Sequence, residues 1–178
     1  MDINHHYINH PTEVITTSLG IPNDYKQKCI NEIYTIGDHM QQTTNVKAAM
    51  SSWYIWEQTD VLNPLLENIL NLIKKLLPLQ DERWDYLMDS CWAAIYKKGH
   101  YTNSHEHRPS QFSFVYYLQS SGNTPLVFDD CKFEVTPKDD TIVIFPSYLR
   151  HSVPKHKDKK DRICLAGNII FNSKNKSV

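Results

Sequence analysis

After Arg83 the spacing of apolar residues changes period, and that change constrains the fold more than any single residue does. Downstream, DYLMDSCWAAIYKKG, QFSFVYYLQ, PLVFDD, KFEV, TIVIFP and RICLAGNIIF are short apolar or alternating runs. Clusters of Gly, Pro, Asn, Asp and Lys separate them, the punctuation expected between antiparallel strands. Upstream the period is helical. Pro22-Asn23-Asp24 opens a run carrying Tyr25, Cys29, Ile33 and Ile36, with Asn23 or Asp24 as N-cap. Asn63-Pro64 opens a second helix, a capping residue followed by Pro at the first helical position. Leu65, Leu66, Ile69, Leu70, Ile73, Leu76 and Leu77 line its packing face, and Pro78 stops it. Helices over about 22–80, then strands over about 84–172, predict an α+β chain. The architecture expected is a β-sandwich or barrel braced by N-terminal helices, with all 178 residues in one domain.

Composition excludes several function classes. A net charge of −1 gives no basis for binding nucleic acid or an anionic membrane. The four cysteines, Cys29, Cys91, Cys131 and Cys164, form no CxxC pair, so neither a zinc knuckle nor a disulfide framework is indicated. The first residues are polar and lack an apolar signal core, and Leu65–Leu79 is too short and too charged to span a bilayer. These features predict a soluble, cytoplasmic protein with no nucleic-acid or membrane partner. The first ten residues and the tail NSKNKSV read as mobile ends, and KHKDKKD as a solvated loop.

The chemistry gathers around His105-Glu106-His107. Side chains alternate along a strand, so the two histidines would share a face and Glu106 would point away. His151 follows the apolar run TIVIFP and can turn back into the mouth of a barrel. A third nitrogen from that distant strand completes a facial set with open metal positions. Arg162 opens the apolar strand RICLAGNIIF, where a guanidinium is costly unless it meets an anion, and its planar fork suits a carboxylate. Cys164 shares its face. His5, His6 and His10 sit in a polar N-terminus and read as surface residues. Asp129 and Asp130 read as a strand-end turn, and Arg108 and Arg150 as solvated neighbours of the histidines.

The elements HEH, FVYYLQ, TIVIFPSYLRHSV and RICLAGN, in this order, resemble the Fe(II)- and 2-oxoglutarate-dependent dioxygenases. The likeness is strongest to small oxygenases of that group with an HxH motif, related to the prolyl hydroxylases. It spans about Trp92–Asn172. The resemblance implies a double-stranded β-helix, a jelly-roll or cupin-like barrel with helices buttressing one sheet. It implies Fe(II), 2-oxoglutarate and O2, with His105, His107 and His151 on the metal and Arg162 on the far carboxylate of the cosubstrate. Tyr117 would bond the same carboxylate, with Ser113 and Val115 on its face lining the pocket. Tyr96, Gly99 and Tyr101 resemble a tyrosine–glycine–tyrosine segment of prolyl hydroxylases, in which the first tyrosine approaches the cosubstrate and the glycine makes a turn. The implied reaction is hydroxylation of a C–H bond, in a peptide or protein with proline first, a free amino acid or other small molecule next, with release of succinate and CO2.

Three departures bear on that reading. His107 stands where most relatives have a carboxylate. Either it takes the carboxylate's place, or Asp129 or Asp130 supplies the third ligand, or redox activity is lost; the HxH of the resembling small family favours the first. Cys164 replaces a serine, and a thiol is a weak donor. Asn168 occupies a position where prolyl hydroxylases often carry Trp, which weakens the case for proline. Two rival functions are a three-histidine cupin-like oxygenase without 2-oxoglutarate and a non-catalytic jelly-roll module. The pairing of Arg162 with Tyr117 argues against the first.

Overall fold

The structure, a computed structural model, describes residues 11–37, 44–120 and 122–174. His5, His6, His10 and both ends of the chain lie outside them. Among the described residues eleven strands form two antiparallel sheets. In chain order the elements are β1 (Ile15–Ser18), α1 (Asn23–Gly37), β2 (Val46–Lys47), β3 (Ala49–Met50), a 3-10 turn (Ile55–Glu57), α2 (Asn63–Leu76), β4 (Trp84–Tyr96) and β5 (Tyr101–His105). Then follow β6 (Phe112–Gln119), β7 (Leu126–Phe128), β8 (Phe133–Val135), β9 (Thr141–Pro146), β10 (His151–Val153) and β11 (Arg162–Ser173). The larger sheet runs β1-β9-β6-β11-β4-β3 and the smaller β2-β5-β10-β7-β8. Two such sheets with non-consecutive neighbours make a double-stranded β-helix, the jelly roll expected.

The larger sheet is buried on both faces, which explains why its strands read as nearly continuous apolar runs. Alternation divides its side chains between two cores. Cys91, Ala93, Ile95, Phe114, Tyr116, Ile142, Ile144, Ile163 and Leu165 face the helices and pack with Ile33, Ile69 and Ile73. Trp92, Ala94, Tyr96, Val115, Tyr117, Val143, Phe145 and Cys164 face the smaller sheet. Gly167 sits where β11 crosses β4 most closely; a Cβ there would meet the Ser90 carbonyl at 2.5 Å and the Phe114 ring at 2.7 Å.

Several details correct the sequence expectation. Asn63 is the first helical residue rather than the cap; Leu62 precedes it without a side-chain cap bond, and the Asn63 amide bonds Asp60. The N-terminal third is not purely helical. β1 pairs with β9, and β2 and β3 each add two residues to a sheet edge, runs too short to show a period. KHKDKKD is not uniformly solvated, because His156 is 1% exposed. Among the described residues no helix is long and apolar enough to cross a membrane.

Candidate metal and cosubstrate site

His105 ends β5 and His151 opens β10, and the two are direct partners in the antiparallel register. His107 lies two residues past the strand end. Alternation along one strand therefore does not account for its position, as the sequence reading supposed. Instead its backbone N–H donates to the Ser147 carbonyl at 2.8 Å, which folds the chain back over the barrel mouth. Glu106 does point away, pairing with Arg108 at 3.0 Å. The three rings converge, with centroids 4.4 Å (His105–His151), 4.8 Å (His105–His107) and 5.1 Å (His107–His151) apart. One nitrogen from each lies within 4.8 Å of the others.

Protonation is arranged to leave lone pairs free. His105 Nδ1 donates to the Asn103 carbonyl at 2.8 Å and His151 Nδ1 to the Leu149 carbonyl at 2.9 Å. A carbonyl only accepts, so each Nδ1 carries the hydrogen and each Nε2 offers a lone pair, the tautomer a metal requires. Burial lowers all three affinities for protons. Desolvation, then the neighbouring His105, takes His151 down to about 4. Desolvation, then His151 and His105, takes His107 down to about 3. His105 is lowered by burial as well. The cluster is neutral near pH 7 and able to bind iron. Among the described residues it contains no carboxylate. Asp129, a sequence candidate for the third ligand, bonds Ser104 and Ser152 instead, and Asp130 is exposed.

From this cluster a narrow cavity leads inward to Arg162. Arg162 is 1% exposed, the largest fully buried side chain. Its Nη2 donates to the Tyr117 hydroxyl at 3.0 Å and its Nη1 to the Thr124 carbonyl at 3.2 Å. The guanidinium also lies over the Tyr96 and Tyr117 rings, 5.1 and 4.9 Å from their centroids. No described carboxylate pairs with it, and its buried Nε has no partner. A buried charge with an orphaned donor calls for an anion from outside the chain. A dicarboxylate chelating a metal at the histidines fits that demand, so the residues suit Fe(II) and 2-oxoglutarate.

The other predicted residues divide by place. Tyr96, bonded to Thr102 at 2.6 Å, and Cys164 line the cavity on the Arg162 side. Burial pushes Tyr117 up to about 12 and Cys164 to about 11, so both are neutral. Ser113 also lines the cavity, but its hydroxyl bonds Asn168 at 2.9 Å and Ser147 at 2.8 Å, away from Arg162. Tyr101 is not among the lining residues; it pairs with Lys47 at the sheet edge. Gly99 takes a φ of +91° in the turn between β4 and β5, the role expected of it.

The sequence reading missed two groups. Trp92 packs against His107 at 5.7 Å and against the half-exposed Trp53 at 4.6 Å, forming one wall of a groove of about 410 Å³ beside the histidines. Thr124, whose carbonyl holds Arg162, shares a hydrogen bond with the buried His156 at 3.0 Å. Neither shows a spacing motif.

Comparison with known proteins agrees with this geometry. Residues 128–168 match the family model described as "Putative 2OG-Fe(II) oxygenase", a stretch that holds His151, Arg162 and Cys164 but not His105 or His107. Among solved structures, a viral collagen prolyl hydroxylase from Paramecium Bursaria Chlorella virus-1, in its 2OG complex, is 14% identical with a TM-score of 0.64. That match covers 88% of this chain and 94% of the viral one. A Pseudomonas putida prolyl-4-hydroxylase is 20% identical with a TM-score of 0.66, covering 89% of this chain and 92% of its own. The non-heme alpha-ketoglutarate-dependent epimerase SnoN from nogalamycin biosynthesis has a TM-score of 0.72 at 8% identity, covering 94% and 82%. No curated protein matches in sequence. The chain thus has the double-stranded β-helix of the 2OG-Fe(II) oxygenases, matches their sequence model from β7 into β11, and sets a three-histidine cluster and a buried arginine at opposite ends of one cavity.

Proposed function

We propose that the protein is a non-haem Fe(II)- and 2-oxoglutarate-dependent dioxygenase that hydroxylates a C–H bond, a peptidyl proline being the first substrate to test. The observation that carries this reading is the single cavity with metal-ready histidines at one end and an unpaired buried arginine at the other. His105, His107 and His151 hold the iron. Arg162 and Tyr117 bind the far carboxylate of 2-oxoglutarate, with Tyr96 and Cys164 shaping the wall and Ser113 the floor near the metal. When bound, iron, 2-oxoglutarate and O2 supply the oxidising chemistry that inserts oxygen into the C–H bond and yields succinate and CO2. The barrel orients these groups and keeps water from them. The groove beside Trp53 and Trp92 gives the substrate its approach to the metal. Four free cysteines suit a reducing compartment, which supports a cytoplasmic location.

Anaerobic addition of Fe(II) and then 2-oxoglutarate tests the reading directly. A visible metal-to-ligand charge-transfer band is expected in the wild type and absent in Arg162→Ala. With O2 and a prolyl peptide panel, succinate should form in step with hydroxylated product. If wild type gives neither band nor succinate, the cosubstrate assignment fails.

A further inference from the structure

Asp129 opens the turn after β7, one strand removed from β10 and two from β5, since the smaller sheet runs β5-β10-β7. Its carboxylate nevertheless reaches both. Oδ1 accepts from Ser152 Oγ at 2.8 Å, and Oδ2 accepts from Ser104 Oγ at 2.7 Å. Ser104 immediately precedes His105, and Ser152 immediately follows His151. Neighbouring residues on a strand point to opposite faces. The two serines are therefore on the outer face of the sheet, behind the two histidines that face the cavity.

The backbone reinforces this tie. Asp129 N–H donates to the Arg150 carbonyl at 3.0 Å, and Arg150 Nη2 donates to the Ser104 carbonyl at 3.3 Å. The clasp acts where the β5–β10 ladder becomes irregular. His105 faces His151, but Val153 faces Thr102, with a register shift between them. The His105–His151 pairing stands at the end of that ladder, and the clasp backs it from behind.

We infer that Asp129 is a positioning residue that holds His105 and His151 at metal-binding separation by bridging the serines behind them. The inference rests on the reading that the triad holds a divalent metal. A carboxylate suits the task because it accepts at both oxygens, so each hydroxyl donates to a fixed point. Both bonds lie near the surface, so they add little to overall stability while setting the geometry of the ligands.

Co(II) serves as the probe, its visible absorption reporting both affinity and coordination geometry without turnover. Asp129→Ala is expected to weaken Co(II) binding by about 10- to 100-fold, the range for outer-shell partners of metal ligands, with an altered spectrum. Ser104→Ala/Ser152→Ala, which keeps the carboxylate, should match it. Asp129→Asn should stay within a few-fold of wild type, because an amide can accept from one hydroxyl and donate to the other. Wild-type affinity in Asp129→Ala or in the double serine variant would overturn the clasp. So would an Asp129→Asn protein as weak as Asp129→Ala, since charge rather than position would then be responsible. If Asp129→Ala does not fold, the serine variant decides alone. A wild type that binds no Co(II) would instead sink the metal-site reading on which the clasp depends.

Discussion

Arg162 is a full charge held out of water with one donor unused, which makes it a liability to the empty protein and an asset to the loaded one. Desolvating a guanidinium costs several kcal/mol where no anion repays it. Arg162→Met should therefore melt no lower than wild type without ligand, yet gain nothing from 2-oxoglutarate. Wild type should gain about 2.7 kcal/mol at 100 times Kd. Thermal melts with and without 2-oxoglutarate check both halves; an equal gain in the variant would refute the role. His107 gives a second prediction at this scale. His107→Ala should lower Fe(II) affinity, and His107→Asp should recover most of it by restoring the carboxylate usual in this fold, as equilibrium competition against a chelator would measure. His151 and Arg162 were legible because each stands at the edge of an apolar run, where its cost is visible, and His105 because it opens an HxH pair. Thr124, His156 and Trp92 were not, since residues that support a site from separate segments share no spacing in the chain.

At the scale of elements, Asp140 shows how an edge strand is fastened. It adopts a positive φ of 65°, a conformation Asp tolerates. Its carboxylate accepts from Tyr116 Oη at 2.7 Å, from Gly20 N–H at 2.9 Å and from Ser18 Oγ, tying β1 to β9 and β6. Burial alone would raise its pKa, but these donors hold it below the usual range. The sign follows: the folded state binds this proton less readily than the unfolded chain. The contribution is present above the unfolded value of about 3.9 and is lost as pH falls through the folded one. Asp140→Asn should cost about 1–3 kcal/mol at pH 7 and flatten the acid limb of a stability–pH curve. An unchanged limb would refute it. Elements were legible according to length. The long strands β4, β6, β9 and β11 announce themselves by alternation or continuous apolarity, whereas β1, β2 and β3 owe their existence to a sheet already in place.

Across the whole molecule, the larger sheet separates a core that gives stability from a core that gives function. Ile69, fully buried among the helices, touches only the first. Ile69→Ala should cost about 2–5 kcal/mol and leave metal affinity unchanged. Phe145, whose ring lies 4.8 Å from that of His151, belongs to the second. Phe145→Ala should lower stability and metal affinity together. Urea denaturation beside Co(II) titration distinguishes the two; equal effects on affinity would contradict the separation. The architecture was legible at this scale because buttressing helices and a jelly roll differ in period. The partition of one sheet between two cores was not, because a strand covered on both faces looks uniformly apolar.

The register that sets His105 opposite His151 has a topological consequence. The two residues belong to distant parts of the chain, with β6, β7, β8 and β9 lying between them in sequence. An ion held by both is a reversible cross-link that closes a long loop and withdraws entropy from the unfolded ensemble, as a disulfide would. Bound metal would then lengthen each molecule's survival against proteolysis.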